Sequence, residues 1–472
     1  MKAQMLWEQV EEWEEELVAL RRLFHQYPES GWEEFYTTGM IANYLTRHGI
    51  VFHYGKEIVN RQWMCGREEE EIRKAVAYAK ELGVEETVLQ EMDQITGLEA
   101  VIETGRKGPV CVLRFDIDGL KEEEANDREY RPVKEHFCSI HKGYMHACGH
   151  DGHIAMGLVL TRFLFEHREQ FCGQIRVVFQ PAEEGVRGGK SFATGGVLDG
   201  ADYFLSGHLG MGNKTGELVL GTYGFLATTK VDVEFIGVSA HAGAAPETGK
   251  NALLCACHAV VALQTLCQDS RGVSRINVGV IKAGNNRNVI ADYGLIQLET
   301  RGETTEIEQE LYKKAMDCIK GAASMYGCDY KIIIKGSAKE AKSDKGLIKK
   351  AKEALLDSGL YLEKQHEKQH KIDKKSLNSS KESIQAKGRK TIQTLYEEKE
   401  FKGSEDVTYF MKEIQEHGGQ ALYLGIGANI NAPHHNTKFD FDERALTLGT
   451  EVYIAILQKL MGKSENKKSI EK

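Results

Sequence analysis

The segment His146-Ala-Cys-Gly-His-Asp-Gly-His153 combines three histidines, one cysteine and one aspartate. Thiolate and imidazole are the donors that suit zinc and neighbouring metals, and donors that alternate in a glycine-containing turn can converge on one point. An N-terminal cap by Asp151 on the apolar helix predicted for Gly152 to His167 would explain the aspartate but not the other four residues. The segment therefore predicts a metal site.

A second candidate is Gln180-Pro-Ala-Glu-Glu-Gly185, which follows a predicted buried strand over Ile175 to Gln180. Two adjacent carboxylates are costly unless cations compensate. One of them can coordinate a metal ion while the other takes a proton from water. An acidic surface turn is the alternative for this motif alone. Asp116 and Asp118, which close the strand predicted from Pro109, offer two more carboxylates on one strand face but are a weak signal alone.

Two further strand ends carry histidines. His208 ends a strand predicted from Asp202, and His434-His435 follow a strand predicted over Ala421 to Gly427. A lone histidine of this kind is more often structural than a ligand. However, four predicted strands deliver metal-type donors to the same end of one sheet, which is where open α/β sheets bind ligands. Strands alternating with helices predict that this α/β sheet is mostly parallel.

From about Thr222 to Ala338 the order of elements is different. The pattern predicts strand Lys230–Ile236, helix Lys250–Gln268, strands Arg275–Ile281 and Leu295–Arg301, helix Glu306–Tyr326 and strand Tyr330–Lys335. This βαββαβ order is ferredoxin-like and predicts an inserted lid or dimerisation domain over residues 223–338. Residues 1–222 and 339–462 then form a discontinuous catalytic domain, which resumes with helices over Ser343–Leu356 and Asp442–Met461. A polar tail follows at 463–472.

Composition limits the class of protein. The chain has 472 residues, of which 41% are hydrophobic and 28% charged, as expected for a soluble globular protein of two domains. No apolar run is long enough to span a bilayer, and the N-terminus reads as an acidic amphipathic helix, so we expect a cytoplasmic protein. The formal charge of −9 argues against nucleic acid and anionic membranes as partners and favours a small-molecule substrate. The ten cysteines lack the dense spacing of a disulfide framework.

The lysine- and serine-rich tract at 364–390 has too few apolar residues to order itself, and it is predicted to be a disordered surface insertion. Binding of a polyanion is the alternative.

Two nucleotide-binding motifs are incomplete in this sequence. Glu184-Gly-Val-Arg-Gly-Gly-Lys-Ser191 has Glu184 where a phosphate loop needs glycine, and the dinucleotide pattern at Gly425-Ile-Gly427 would need its third glycine at Ile430.

Taken together, the blocks MHACGHDGH, FQPAEEG, AHAGAAPETGKNAL, RNVIAD and HHNTKFDFDE resemble the metallo-aminoacylase and carboxypeptidase family, in its amidohydrolase branch. The resemblance covers nearly the whole chain and departs mainly in the tract at 364–390 and in the tail. It implies a site with two divalent metal ions, Mn or Zn first and Co as a further option, and a homodimer or a heterodimer with a related B subunit formed through the lid.

The resemblance also assigns roles to residues. It implies as metal ligands Cys148, His150, Glu184, His208 and His435, with Cys148 bridging. His434 is an alternative to His435, although the spacing to Phe439 favours His435. Glu183 becomes the general base. His241, lent across a dimer interface, becomes a catalytic residue that stabilises the oxyanion, and Asn288 and Arg301 become substrate-binding residues. A guanidinium fork such as that of Arg301 suits a carboxylate.

Three functions are compatible with this pattern. The first is hydrolysis of the amide bond of an N-acyl, in particular N-aroyl, amino acid, with glutamate released. The second is the same chemistry on another N-acyl amino acid or a short dipeptide. The third is a metal-binding subunit without turnover, against which the intact Glu183 and ligand set argue.

Overall fold

The structure, a computed structural model, describes residues 6–266, 268–362 and 392–463. The predicted insertion at 364–390 and the predicted tail beyond residue 463 lie outside the described residues. No helix in the described ranges combines the length and the apolar character needed to cross a membrane.

The described chain contains fourteen strands. They are β1 (Val51–Tyr54), β2 (Leu98–Glu103), β3 (Val110–Asp116), β4 (Gln174–Gln180), β5 (Tyr203–Leu209), β6 (Glu217–Tyr223), β7 (Ala227–Ile236), β8 (Ala240–His241), β9 (Ser274–Ala283), β10 (Val289–Ile290), β11 (Tyr293–Gly302), β12 (Asp329–Ala338), β13 (Thr394–Glu400) and β14 (Gln420–Ile426).

The α-helices of the same ranges are α1 (Glu14–Gln26), α2 (Phe35–Arg47), α3 (Gly55–Ile58), α4 (Glu69–Glu81), α5 (Glu86–Met92), α6 (Arg131–Lys134), α7 (His150–Glu166), α8 (Gly189–Ala193), α9 (Ala252–Leu263), α10 (Thr305–Tyr326), α11 (Lys345–Ser358), α12 (Thr408–Glu416) and α13 (Arg444–Met461). Short 3-10 helices lie at Leu6–Trp13, Arg61–Trp63, Arg168–Gln170 and Pro246–Thr248.

The large sheet has eight strands in the order β1-β2-β4-β3-β5-β14-β6-β13. Its centre is parallel: β4 pairs with β3, β3 with β5, and β5 with β14, all in the parallel sense. Strands β1 and β2 at one edge, and the contact between β14 and β6, are antiparallel. The predicted α/β fold with a mostly parallel sheet is confirmed.

Both faces of the large sheet are covered, which explains the near-continuous apolar sequence of its central strands. On β3, Leu113 and Phe115 belong to the core that includes helices α7 and α13, whereas Val112 belongs to a second core that includes helices α8 and α12. Alternate residues of one strand therefore support opposite layers. Because helices hold the strands on both sides, the loops at their carboxyl ends start from fixed positions.

A second, small sheet has four antiparallel strands in the order β12-β7-β11-β9, and its core is formed with helices α9 and α10. The succession of strands and helices follows the predicted βαββαβ order, with two short strands, β8 and β10, added as a separate ribbon. Val231, Val233 and Phe235 of β7 face the helices. The alternate residues of β7, among them Lys230, therefore lie on the opposite face.

The structure differs from the sequence prediction at the sheet edges. Val51–Tyr54 forms strand β1, which the sequence does not predict. Strands β6 and β13 were also not predicted. Within the described sheet, strand β13 pairs only with β6, and its residues Tyr396, Glu397 and Glu398 are exposed. Charged residues on an edge strand weaken the alternating apolar signal by which strands are recognised.

Candidate active site

The predicted donors converge at the carboxyl ends of four adjacent strands. Asp116 ends β3, Glu183 and Glu184 follow β4, His208 lies near the end of β5, and His435 follows β14. These strands are neighbours in the order β4-β3-β5-β14 and run parallel. The loop after β3 leads to helix α7, whose first residue is His150. The sheet thus brings together the donor residues proposed from the sequence.

Cys148 belongs to two groups of potential metal ligands. One group is Cys148, His150 and His208, and the other is Cys148, Glu184 and His435; within each, the ligand atoms lie within 4.8 Å of one another. The Cys148 Sγ atom lies 3.4 Å from His208 Nε2, and His435 Nε2 lies 3.3 Å from Glu184 Oε1. The two groups share one sulfur atom, which is the arrangement that a bridging ligand between two ions requires.

The two buried histidines are oriented through their Nδ1 atoms. His150 Nδ1 donates to the backbone carbonyl of Asp118 at 2.8 Å, and His208 Nδ1 donates to the carbonyl of Leu209 at 2.8 Å. A carbonyl can only accept, so the proton is on Nδ1 in the neutral ring and the Nε2 lone pair is free to bind a metal. Both rings are buried and present Nε2 to the site.

Two buried polar atoms in the site, His150 Nε2 and Glu184 Oε1, lack a hydrogen-bond partner among the described residues. A buried polar atom without a partner is costly, and a divalent cation would satisfy both of these. The surrounding nitrogen, sulfur and oxygen donors suit zinc, manganese or cobalt ions. The residues present therefore fit a two-metal centre.

Strong electrostatic coupling links the donors. Burial raises the pKa of the Cys148 thiol, and the Glu184 carboxylate raises it further. Close contact with Cys148, followed by that with Glu184, raises the pKa of His435 to about 10. The raised pKa values mean that bound protons reduce the repulsion between these closely packed donors. Bound cations would take over that role and favour the deprotonated thiolate and imidazole.

Glu183 is buried beside this donor set but belongs to neither of the two groups that share Cys148. Burial raises its pKa well above that of an ordinary carboxyl, and the neighbouring Glu405 carboxylate raises it further. A carboxylate with a raised pKa is a stronger base than a solvated one. Its position next to the donors suits it to accept a proton from a water molecule between them.

The turn that carries the two glutamates is held in an uncommon conformation. Ala182 and Val186, which flank the pair, have φ angles of 57° and 58° in the left-handed region, and His435 has a φ angle of 62°. Non-glycine residues in this region carry strain that the surrounding structure must stabilise. Here the Asp118 carboxylate accepts the backbone N–H groups of Glu183 at 3.0 Å and Glu184 at 2.9 Å.

A cavity of about 260 Å³ opens over the donors. Arg301, to which the family resemblance assigns the binding of a substrate carboxylate, lies in its wall. The lining residues are Cys148, Glu183, Glu184, Gly185, Val186, His208, Met211, Lys230, Arg301, Phe401, Ser404, Glu405, His434 and His435. His150 lies beneath this surface. The cavity therefore combines metal donors from the large sheet with cationic residues from the small sheet.

His241 and Asn288 do not line this cavity. His241 lies on β8, pairs with Val289 of β10 and is exposed. Its Nδ1 accepts the backbone N–H groups of Gly243 and Ala244, both at 3.1 Å. Asn288 is also exposed, and its carbonyl accepts the N–H of Ala242 at 3.0 Å. The two residues thus lie side by side on a ribbon that is separate from the chain's own site.

Sequence reasoning missed several residues of the cavity, including Lys230, Phe401 and Glu405. Glu405 is the first of two adjacent acidic residues in Gly403-Ser-Glu-Asp406, a signal of the same kind as the Glu183-Glu184 pair. His153 proves to be a positioning residue: its Nδ1 contacts Asp116, and its Nε2 accepts the N–H of Leu209 at 3.1 Å. It therefore links β3 and helix α7 to the end of β5.

Fold and site define a hydrolase of the peptidase family M20/M25/M40, to which this chain belongs: the model of that family matches residues 112–459. The family resemblance inferred from the sequence is confirmed. The chain is 39% identical over 447 residues to a Haemophilus influenzae homolog of one component of p-aminobenzoyl-glutamate hydrolase, covering 94% of this chain and 98% of that protein.

Two further comparisons agree. The chain is 38% identical over 439 residues to indole-3-acetyl-aspartic acid hydrolase of Enterobacter agglomerans, covering 92% of this chain and 94% of that protein. Its fold matches the crystal structure of an aminobenzoyl-glutamate utilization protein from Klebsiella pneumoniae with a TM-score of 0.76 and 30% identity, covering 97% of this chain and 98% of that one. The similarity thus extends over whole chains and includes both sheets.

Proposed function

We propose that this protein is a metal-dependent amidohydrolase that cleaves the amide bond of an N-acyl amino acid, with p-aminobenzoyl-glutamate as the leading substrate. The observation that carries the proposal is the cavity in which two donor groups sharing Cys148 meet Glu183 and Arg301. The full-length similarity to the Haemophilus influenzae protein named for p-aminobenzoyl-glutamate supports this substrate.

Two divalent ions, held by Cys148, His150, Glu184, His208 and His435, would make a water molecule more acidic and polarise the amide carbonyl. Glu183 accepts the proton of the attacking water and then donates it to the leaving nitrogen, so one carboxylate acts twice. The guanidinium of Arg301 binds the carboxylate of the substrate and holds the scissile amide against the donors. The products are a carboxylic acid and a free amino acid.

We also propose that residues 1–222 and 339–462 form the catalytic domain and residues 223–338 a lid. His241 and Asn288 then act in the active site of a partner, where His241 stabilises the oxyanion and Asn288 contacts the substrate. Their exposure on a ribbon away from the chain's own cavity supports this assignment. The partner is a second copy of the chain or a related B subunit.

A second candidate substrate is an N-acyl aspartate. The relative from Enterobacter agglomerans is named for indole-3-acetyl-aspartic acid and is almost as similar as the first. Side-by-side hydrolysis of p-aminobenzoyl-glutamate, indole-3-acetyl-aspartate and a simple dipeptide separates these possibilities. The compound with the highest kcat/KM shows which acyl group and which amino acid the enzyme prefers in its substrate.

The central test of the mechanism is the substitution Glu183→Gln in the metal-loaded protein. Loss of a general base lowers turnover by about 10²–10⁴-fold, while metal content stays at the wild-type value. The matched control is Glu398→Gln, because Glu398 is an exposed glutamate on β13 outside the cavity. Retained turnover contradicts the role of Glu183 as base, and a parallel loss of metal makes it a ligand instead.

A further inference from the structure

Lys230 shares the active-site cavity with Arg301 but has no role in the mechanism above. It lies on β7, directly opposite Glu299 of β11, while Arg301 lies opposite Thr228. Residues 228 and 230 of β7 point to the same face, so Lys230 and Arg301 are diagonal neighbours on the small sheet, and such neighbours lie roughly 7–8 Å apart, within reach of long side chains. Both line the cavity that contains the metal donors.

The charges of the two cations are balanced differently. Arg301 forms a forked pair with Glu299, in which Nε donates to Oε1 at 3.0 Å and Nη2 donates to Oε2 at 3.1 Å. Both oxygens of Glu299 are thereby used. Lys230 forms no ion pair with a carboxylate of the described residues, although Glu299 is its cross-strand neighbour. Of the two cationic residues that the small sheet contributes to the cavity, Arg301 is thus paired with a carboxylate of that sheet and Lys230 is not.

Other groups near Lys230 do not neutralise its positive charge. Asp232, the next residue of β7 on the same face, accepts two hydrogen bonds from Gln297 Nε2 at 3.1 Å. The carboxylates Glu183 and Glu184 belong to the donor edge of the cavity, where divalent ions would offset them. Glu405, the third carboxylate in the cavity wall, is paired with Arg114 at 3.3 Å and accepts the hydroxyl of Tyr423. An anionic group of the substrate is therefore the partner that Lys230 can take within the cavity.

We propose that Lys230 binds the side-chain carboxylate of the substrate's amino acid and thereby selects N-acyl derivatives of acidic amino acids. This inference rests on the proposed amidohydrolase function. Arg301 takes the α-carboxylate through Nη1 and the second N–H of Nη2, which its pair with Glu299 leaves unused. The ammonium of Lys230, a point charge on a flexible stem, takes the second carboxylate beside it. A neutral side chain would leave Lys230 without a partner in a partly buried site, which lowers the binding of that substrate.

The test compares N-(4-aminobenzoyl)-glutamate with N-(4-aminobenzoyl)-glutamine, which differ only in the side-chain carboxylate and its neutral amide. The substitution Lys230→Met lowers kcat/KM for the glutamate compound by about 10–150-fold, the value of a hydrogen bond to a charged group, and changes that for the glutamine compound by less than about threefold. Lys230→Glu reverses the preference toward N-(4-aminobenzoyl)-ornithine. Lys331→Met is the control, because Lys331 is an exposed lysine of β12 outside the cavity.

Binding to the metal-loaded Glu183→Gln protein, measured by calorimetry with the same two compounds, separates recognition from turnover. Tighter binding of the glutamate compound that disappears when Lys230→Met is added supports the inference. Equal binding of the two compounds, or equal losses for both in the Lys230→Met variant, overturns it. Absence of wild-type turnover together with a Lys230-dependent preference in binding overturns the proposed function and leaves the role of Lys230 in recognition standing.

Discussion

The carboxylate of Asp118 accepts the backbone N–H of Glu183 at 3.0 Å, so a residue just beyond β3 fixes the turn that follows β4. The other oxygen of the same carboxylate accepts the N–H of Glu184. One side chain thus positions both the proposed base and a proposed ligand, in a turn whose flanking residues have left-handed backbones. The position of the glutamates depends on this neighbour as much as on their own strand.

Substitution of Asp118 by alanine is expected to impair both metal binding and turnover. Without the acceptor the turn can relax, and loss of a supporting residue of this kind typically costs about 10–100-fold in metal affinity or activity. Asp118→Asn, which keeps one acceptor oxygen, should fall between alanine and the wild type. Metal content and kcat/KM report the effect, with Asp317→Ala, at an exposed position of helix α10, as the control. Wild-type values for both Asp118 variants would show that the turn holds its shape without this carboxylate.

Cys148→Ser should reduce the binding of both metal ions, because the sulfur atom belongs to both donor groups. A serine hydroxyl is a weaker ligand and remains protonated at neutral pH. Metal per chain, measured by elemental analysis, should fall together with activity. Cys257→Ser on helix α9 is the matched control, since Cys257 is an exposed thiol outside the site. Equal metal content in the two variants would exclude Cys148 as the shared ligand.

Mixing two inactive variants tests whether the ribbon residues act in a neighbouring chain. If His241 of one chain completes the site of another, His241→Ala and Glu183→Gln are each inactive alone. After exchange between the two dimers, half of the molecules are hybrids with one intact site, so activity returns to about a quarter of wild type. Complementation between two copies is the signature of a homodimer. No return of activity after verified exchange would contradict the action of His241 in the active site of a second copy of the chain.

Glu99 on β2 makes stability depend on pH at a position remote from the metal site. Burial raises the pKa of Glu99 to about 7, an effect that Arg176 only partly opposes, and Oε1 of Glu99 has no hydrogen-bond partner in the described part of the chain. The folded protein therefore keeps this proton above the pH at which the unfolded chain releases it, and Glu99 lowers the free energy of unfolding as pH rises from about 4.5 through 7.

Glu99→Gln removes this dependence. The variant should be more stable than the wild type at pH 8, by up to roughly 2–3 kcal/mol, and the difference should shrink at pH 5. Thermal midpoints of the two proteins across this range measure the effect. Glu398→Gln, at an exposed position, should show no such trend. A constant difference between Glu99→Gln and wild type at all pH values would show that the carboxyl titrates normally in the fold.

The donor edge could be predicted from the sequence because parallel strands that alternate with helices end on the same side of a sheet. Glu184, His208 and His435 each follow or end a buried strand, so their convergence required only the sheet order. The contribution of the small sheet could not be predicted in the same way. Lys230 of β7 reaches the cavity through the placement of one sheet against another, and neither periodicity nor spacing along the chain encodes that placement.

The edge strands were also difficult to predict, because their local sequence does not indicate a strand. Strand β13 carries the sequence Thr-Leu-Tyr-Glu-Glu-Lys-Glu, whose charges suggest a loop, yet its backbone pairs with β6. Backbone pairing with β6 thus stabilises a strand that the local sequence of β13 does not favour. By contrast, helix α7 and strand β3 lie in the middle of the structure, and their apolar runs predicted their positions to within two residues.

In the cavity between the two sheets, the proposed hydrolytic groups come from the large sheet and the residues proposed to select the substrate come from the small one. The stretch of chain from β7 to β12 supplies Lys230 and Arg301, and it leaves and rejoins the large sheet at neighbouring points, where Tyr223 of β6 bridges to Lys342. Selectivity can therefore diverge by mutation within this one contiguous insert while the hydrolytic groups stay constant. A graft of the corresponding insert from a relative is accordingly the most direct route to an enzyme with a new amino acid preference.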